Sequence, residues 1–113
     1  MRTYATIFIA LFAVWIVSSN SVVAADFRKI DGDYTIATPD GGKELEFGLI
    51  VTGDAAKRLY DGLAVKAIKD LCTGGRRKDH PTGMQCIKDG NEFTCSLGYK
   101  LKSGQTTPGP LSC

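Results

Sequence analysis

The sequence has little of what a catalytic site needs. It contains one histidine, His80, which precedes a proline in a stretch rich in glycine and charge, so no serine or cysteine nucleophile has an evident base. The motifs of serine hydrolases, zinc proteases and phosphate-binding loops are absent. Two glutamates, Glu44 and Glu46, lie about 7 Å apart on one predicted strand, which is more typical of a solvated face than of a glycosidase pair. The sequence therefore favours a protein that is not an enzyme and that carries no cofactor.

An excess of one charge is also lacking. The chain has 14 lysines and arginines against 12 aspartates and glutamates. The predicted leader described below contains one arginine and no acidic residue, so the remainder carries 13 basic against 12 acidic residues. Proteins that bind nucleic acid in general show a clear basic excess. This balance argues against nucleic acid as the partner.

Only one long hydrophobic run is present, and it lies at the amino terminus. Residues 1–25 contain a basic residue, the apolar run Ile7–Val17 and small residues before Asp26. The run of about eleven residues is shorter than the ~20 that a membrane-spanning helix needs. We therefore predict a signal peptide that is cleaved after Ala25, with an uncleaved signal anchor as the alternative. Residues 26–113 are then expected to form one small periplasmic or secreted domain that does not span a membrane.

Four cysteines fall within those 88 residues: Cys72, Cys86, Cys95 and Cys113. The sequence has no C-x-x-C pair, and His80 has no ligand spacing to any cysteine, which argues against a metal site and a thiol redox motif. Disulfides are the usual use of cysteine in small exported domains. Four cysteines allow three connectivities.

A predicted hairpin favours one of these connectivities. Residues 83–88 and 92–102 resemble two strands around Asp89-Gly90-Asn91, a strong turn signal. Folding the chain about Gly90 and Asn91 places Cys86 opposite Cys95, and the same register places Met84 opposite Leu97 and Thr82 opposite Tyr99. We therefore favour a Cys86–Cys95 disulfide. A Cys72–Cys113 bond would then fasten the carboxyl-terminal tail, residues 103–113, which is otherwise expected to be irregular.

The remaining pattern predicts the fold class. Residues 44–52 alternate, with Leu45, Phe47, Leu49 and Val51 on one face of a half-buried strand. A short amphipathic helix is expected from Ala55 to Ala64, weakened near its end by Gly62. Residues 34–38 suggest a further short strand, residues 65–72 mix helix and strand periods, and residues 73–82 resemble an exposed loop. We predict an α+β domain in which one short helix packs on an antiparallel sheet of three to four strands, stapled by two disulfides.

The one surface feature with chemical character is the run of three cations in the predicted loop. We expect Arg76, Arg77, Lys78 and the nearby His80 to form a binding site for phosphate, lipid headgroups or an acidic protein patch. The two disulfides would hold this loop at both ends, which reduces the entropy lost on binding. An ordinary solvated charge run is the alternative.

These observations favour a non-enzymatic exported binding protein. We expect an inhibitor or immunity-type protein that acts by steric occlusion of a protein partner. The alternatives are a secreted effector that binds anionic lipid or a host surface and, less favoured, a small hydrolase that uses Glu44, Glu46 or His80.

Overall fold

The computed structural model describes residues 26–39 and 41–111. One helix, α1 (Gly53–Gly62), packs on an antiparallel sheet in this part of the chain. The strands are β1 (Asp31–Ala37), β2 (Glu46–Thr52), β3 (Ile68–Lys69), β4 (Arg76–Asp79), β5 (Gln85–Asp89), β6 (Glu92–Lys100) and β7 (Thr106–Thr107), followed by a 3-10 helix (Gly109–Leu111). The predicted α+β class is confirmed. The predicted strand number is wrong, since the sheet has seven strands rather than three or four.

The strand order is β1-β2-β6-β5-β4-β3, and β7 pairs with β6. All of these pairs are antiparallel. The longest strand, β6, lies between β2 and β5 at the centre, while β1 and β3 form the two edges. Residues 1–25, which contain the predicted signal peptide, lie outside the described residues. Within the described ranges no helix is both long and apolar enough to cross a membrane.

The predicted hairpin is confirmed in β5 and β6. Asp89 pairs with Glu92 around a two-residue turn in which Gly90 has a φ of +60°, a conformation that glycine adopts without steric cost. Pairs in an antiparallel hairpin alternate between hydrogen-bonded and non-hydrogen-bonded, so Cys86 and Cys95 form a non-hydrogen-bonded pair, the closer of the two kinds. Their Cα atoms lie 4.0 Å apart and their sulfur atoms are bonded.

The second predicted bond involves Cys113, which lies outside the described residues. The described residues contain both cysteines of the Cys86–Cys95 disulfide. None of the described cysteines is a free thiol. The Cys72–Cys113 bond stays a prediction.

The hairpin register ends earlier than the sequence predicts. β5 begins at Gln85, because the chain before it forms a turn in which the Gly83 amide donates to the His80 carbonyl at 2.9 Å. The predicted facing of Thr82 and Tyr99 is therefore wrong. β7 takes the vacated place beside β6, where Thr106 pairs with Tyr99.

The segment after β7, expected to be irregular, packs on the sheet face opposite α1. Ser96, which is buried, donates a hydrogen bond from its hydroxyl to the Pro108 carbonyl at 2.6 Å. Gly48 and Gly98 are direct cross-strand partners beneath this segment. A Cβ atom on Gly98 would lie 2.0 Å from Thr107 Oγ1 and 2.3 Å from Glu46 Oε1, so glycine leaves room for these two side chains, which are hydrogen-bonded to each other.

The core lies between α1 and the sheet. It consists of Val51, Ala56, Tyr60, Cys86 and Cys95. Ala56 and Cys86 are fully buried, and the Tyr60 ring packs edge-on against Phe93 with centroids 5.5 Å apart. Beside this core, Leu59 of α1 lines a small apolar cleft of about 50 Å³ together with Leu49 and Leu97.

The helix begins and ends two residues before its predicted limits. Gly53 has a φ of +71° and turns the chain directly from β2 into α1, so Asp54 lies in the first turn of the helix. There it forms an exposed ion pair with Arg58 at 3.0 Å. The helix stops at Gly62, the residue predicted to weaken it.

Residues 73–82 differ most from expectation, because they contain a strand where the sequence indicated an exposed loop. β4 occupies Arg76–Asp79 and pairs with β5 on one side and β3 on the other. Residues 65–72, unassigned from the sequence, supply β3. The position of the predicted binding residues on a strand changes which of them can act together.

Candidate functional site

β4 divides the three adjacent cations between the two faces of the sheet. Successive residues of a strand point to opposite faces, and the register places Lys78 opposite Cys86 on the face that α1 covers. Arg76 shares that face, whereas Arg77 lies on the other one. The run that looks continuous in the sequence is therefore not a continuous surface.

Arg77 is occupied by an internal ion-pair network. Its guanidinium lies 3.2 Å from an oxygen of Asp70, which is 1% exposed, and 3.0 Å from Asp79. The Asp70 carboxylate also accepts hydrogen bonds from the Thr73 hydroxyl at 2.6 Å and the Thr73 amide at 3.0 Å. The Thr73 hydroxyl chiefly, then the Thr73 amide and Arg77, hold the pKa of Asp70 below its ordinary value, while burial opposes them. Arg77 thus stabilises the turn between β3 and β4.

Lys78 binds the carboxyl-terminal end of the helix. Its ammonium donates to the carbonyls of Tyr60 at 2.8 Å and Leu63 at 3.2 Å. It also lies 4.5 Å from the centroid of the Tyr60 ring. Carbonyls at a helix carboxyl terminus lack partners within the helix, and a cation there is favourable to the helix dipole. Lys78 therefore joins α1 to the sheet.

His80 belongs to the turn between β4 and β5. Its Nδ1 accepts a hydrogen bond from the Thr82 amide at 3.1 Å and lies 2.6 Å from the Thr82 hydroxyl. The acceptor role of Nδ1 places the ring proton on Nε2 in the neutral form. The ring contributes to the local turn geometry, and Arg76 is the one residue of the predicted site without such an internal contact among the described residues.

Arg76 instead belongs to a row of cations that the strand register creates. It lies directly opposite Lys69 on β3 and directly opposite Lys88 on β5. Directly opposed residues share a face, with neighbouring strands about 4.8 Å apart. Lys69, Arg76 and Lys88 therefore stand side by side across three strands; we call them the cationic row.

All three side chains of the cationic row are exposed. None of them forms a salt bridge with any residue that the structure describes. Lys88 lies 5.6 Å from the centroid of the Phe93 ring, which forms the inner end of the row. Like charges directly opposite each other destabilise a sheet. A bound anion would relieve this repulsion, which makes the row a candidate anion-binding surface.

An exposed apolar side chain follows Lys69, the first member of this row, by two residues in the chain. Leu71, which is 86% exposed, lies in the turn that connects β3 to β4. The turn is held by backbone bonds from Asp70 to Gly75 and from Gly74 to Asp70, both 2.9 Å, as well as by the Asp70 carboxylate. The backbone that carries Leu71 is thus fixed, which lowers the entropy cost of using this side chain in binding.

The carboxylates considered for catalysis are used in the structure for other contacts. Glu44 accepts hydrogen bonds from the Ser103 amide at 3.0 Å and the Ser103 hydroxyl at 3.1 Å. Glu46 accepts from the Thr107 hydroxyl. Glu46 fastens the chain after β6 to β2, whereas Glu44 precedes β2 and fastens it to the segment that leads into that strand, so the two glutamates do not share a strand as predicted. Across the described ranges, no group of three or more histidine, cysteine, aspartate and glutamate residues is placed to hold a metal ion.

The sequence signal for the row was weak because its members are far apart along the chain. Lys69 comes from the segment with mixed periods and Lys88 from the end of the hairpin strand, so only the register brings them to Arg76.

Comparison of the chain with protein-family models, curated proteins and solved structures finds no significant match.

Proposed function

We propose that this chain is a non-enzymatic exported binding protein that occludes an acidic site on a protein partner. The cationic row is the contact surface, and Leu71 is the apolar anchor beside it. The observation that carries the proposal is the alignment across β3, β4 and β5 of three exposed cations that form no salt bridge with any described residue. Complementary charge raises association rates and selects partners, while a buried apolar anchor supplies much of the affinity.

Rigidity supports an inhibitor or immunity-type role. The row lies on paired strands, and Arg77 and Lys78 tie the middle strand to the Asp70 turn and to the helix. A surface that is ordered before binding loses little conformational entropy on association. Such a surface blocks a partner by filling its site, with no conformational change needed in the blocker.

Export supports the same proposal. The Cys86–Cys95 disulfide is typical of oxidising compartments, and residues 1–25 have the pattern of a cleaved signal peptide. The proposed Cys72–Cys113 bond would fasten the turn next to Leu71 to the end of the chain. Thiol counting and peptide mapping of the exported protein would show two disulfides and an amino terminus at Asp26.

Charge reversal tests the contact surface. A Lys69→Glu, Arg76→Glu, Lys88→Glu variant should lose the partner that the wild-type protein captures from its native compartment, with an unchanged melting temperature. The matched control reverses three exposed lysines elsewhere, Lys29, Lys43 and Lys102, for the same change in net charge. Capture by the control and not by the row variant supports the proposal. Equal capture by both variants removes the row from the function.

Anionic lipid is the second candidate, since an exposed leucine beside cations also suits insertion at a membrane surface. It predicts sedimentation with phosphatidylglycerol vesicles that decreases with salt and decreases again in Leu71→Ser. Absence of vesicle binding, together with a stoichiometric protein complex, would favour the protein partner.

A further inference from the structure

The edge strand β1 presents backbone hydrogen-bonding groups that pair with no other described strand. In an antiparallel sheet each residue directs its N–H and C=O to the same neighbouring strand, and successive residues alternate. Cys86 and Cys95 form a non-hydrogen-bonded pair, so the backbone N–H and C=O of Cys95 bond to Val51 on β2 instead. The N–H and C=O groups of Val51 therefore point toward β6, and those of its neighbours Ile50 and Thr52 point toward β1.

The same alternation continues on β1. Ile50 and Thr52 pair with Asp33 and Asp31, which therefore bond to β2. The intervening residues Gly32, Tyr34 and Ile36 direct their N–H and C=O groups away from the sheet. All seven residues of β1 are exposed, and its outer side pairs with no other strand that the structure describes. We call this outer side the open edge.

The open edge carries little of the usual protection against pairing. Proteins protect edge strands with proline, charged residues (lysine above all), bulges or short length. β1 is seven residues long, pairs with β2 without a bulge and has neither proline nor lysine, and its two charges, Asp31 and Asp33, lie in its first half. The opposite edge of the same sheet is protected, because β3 has two residues and one of them is Lys69. One edge is therefore suited to pairing and the other is not.

An apolar strip adjoins the open edge. Tyr34 and Ile36 are 69% and 56% exposed, and they lie on the face that α1 covers only at its other end. The Tyr34 ring stacks on Phe47 with centroids 6.2 Å apart, and Tyr99, cross-strand partner of Phe47, is 43% exposed. An occupant of the open edge that carries apolar side chains at alternate positions would extend this strip.

We propose that the occupant is a second copy of this chain, paired antiparallel through β1 about a two-fold axis at Tyr34. Tyr34 then faces the second copy's Tyr34, and Gly32 faces the second copy's Ile36 in both directions. These are three hydrogen-bonded pairs, and they use all the outward backbone groups of both strands. The register is self-complementary, as a two-fold interface requires.

Charge favours this antiparallel register over the parallel arrangement. Asp31 falls opposite the second copy's Ala37 and Asp33 opposite its Thr35, so no carboxylate directly faces another one. The parallel arrangement in the same register would place Asp31 and Asp33 against their own copies. Because the other edge of each chain is short and carries Lys69, pairing closes as a dimer and does not continue into a fibre. The interface leaves the cationic row at the two far ends of the dimer, so it is independent of the proposed function.

Two edge isoleucines offer a matched test. Ile36 lies on the open edge and Ile68 on the protected edge, with exposures of 56% and 44%. The oxidised protein, produced by export of the full chain, would be examined by sedimentation velocity from micromolar to about millimolar concentration. We expect a monomer–dimer equilibrium that Ile36→Lys weakens by about tenfold or more, and that Ile68→Lys leaves unchanged.

Folding and contact are checked in the same samples. Circular dichroism should show that both variants keep the wild-type sheet content, and a photo-crosslinking amino acid at position 34 should give a covalent dimer joined through residues 32–36. A wild-type protein that stays monomeric at about millimolar concentration would overturn the proposal, since such a weak association has no role. An equal effect of the two lysine variants, or crosslinks outside β1, would overturn it as well.

Discussion

The two ends of the helix-facing side of the sheet share the same strands and differ in burial. At one end, Val51 on β2 pairs with Cys95 on β6, and they are 6% and 2% exposed. At the other end, Phe47 pairs with Tyr99, which is 43% exposed, and Leu45 beyond them is 49% exposed. Both strands keep apolar residues at alternate positions through both ends. The alternation therefore identifies which face is apolar, and it does not tell how much of that face is covered.

Helix length decides the difference. α1 has ten residues, so at 1.5 Å per residue it is about 15 Å long. It covers the half of the face that carries the disulfide and stops at Gly62. We refer to the two halves as the covered end and the open end. The covered end supplies the stability of the domain, while the open end adjoins the edge that we assign to self-association.

The largest contrast is expected between two tyrosines. Tyr60→Ala at the covered end should lower the free energy of unfolding by about 3–5 kcal/mol, because a large ring that is 7% exposed leaves a cavity. Tyr34→Ala at the open end, where the ring is 69% exposed, should change it by about 0.5 kcal/mol or less. Urea unfolding in dilute solution measures both values. Similar losses for the two variants would contradict the division into a covered and an open end.

The disulfide at the covered end should come next. Replacing Cys86 and Cys95 together by alanine removes a cross-link between residues nine positions apart. Chain-entropy estimates assign a loop of this size about 3 kcal/mol. The measurement is again the free energy of unfolding, with mass spectrometry to confirm that Cys72 and Cys113 are in the same oxidation state as in the wild-type protein. A stability equal to that of wild type would show that strand pairing and packing hold β5 to β6 without the cross-link.

A smaller contrast is expected between neighbouring cations of β4. Lys78→Met should cost about 1–3 kcal/mol, because the Leu63 carbonyl loses its ammonium donor and the Tyr60 carbonyl keeps only the longer bond from the Leu63 amide at 3.3 Å. Arg76→Met, on the same face of the same strand, should change stability by about 0.5 kcal/mol or less. The binding consequences should be reversed, with Arg76→Met weakening capture of the partner. If Lys78→Met were as stable as Arg76→Met, the joining role of Lys78 would have to be abandoned.

The smallest effect is confined to acid. The pKa of Asp70 lies below its ordinary value of 3.8 in the folded state, so the unfolded chain binds the proton more tightly. The stabilisation from Asp70 is complete above the unfolded pKa and is lost as pH falls through the folded one. Asp70→Asn should remove this part of the acid sensitivity below about pH 4, whereas the exposed control Asp61→Asn should keep it. Unfolding curves from pH 7 to pH 2 measure the difference, and parallel curves for both variants would exclude the Asp70 contribution.

Local sequence signals predicted the hairpin and its disulfide. Gly90 supplies a positive φ in the turn, and a two-residue turn sets the register of every pair that follows. The alternation of residues 44–52 likewise predicted β2. These elements depend on residues that are close together in the chain, so the sequence alone predicts them.

The cationic row could not be reached in this way. Arg76–Asp79 has no apolar residue, and such a segment has no reason of its own to form a strand. It is a strand because it pairs with the edge of β5, because Arg77 forms an ion pair with Asp70 and because Lys78 donates a hydrogen bond to the Tyr60 carbonyl at the end of α1. Each of these partners is a tertiary contact.

By itself, the sequence determined the apolar face of β2, the hairpin turn and the opposition of Cys86 to Cys95, since a period of two and a glycine turn act over a few residues. The tertiary structure decided which part of that face α1 covers, which cations form contacts inside the fold and which lie side by side on the surface. Those outcomes depend on where separate strands come into register, and register between distant segments is settled only when they pack together.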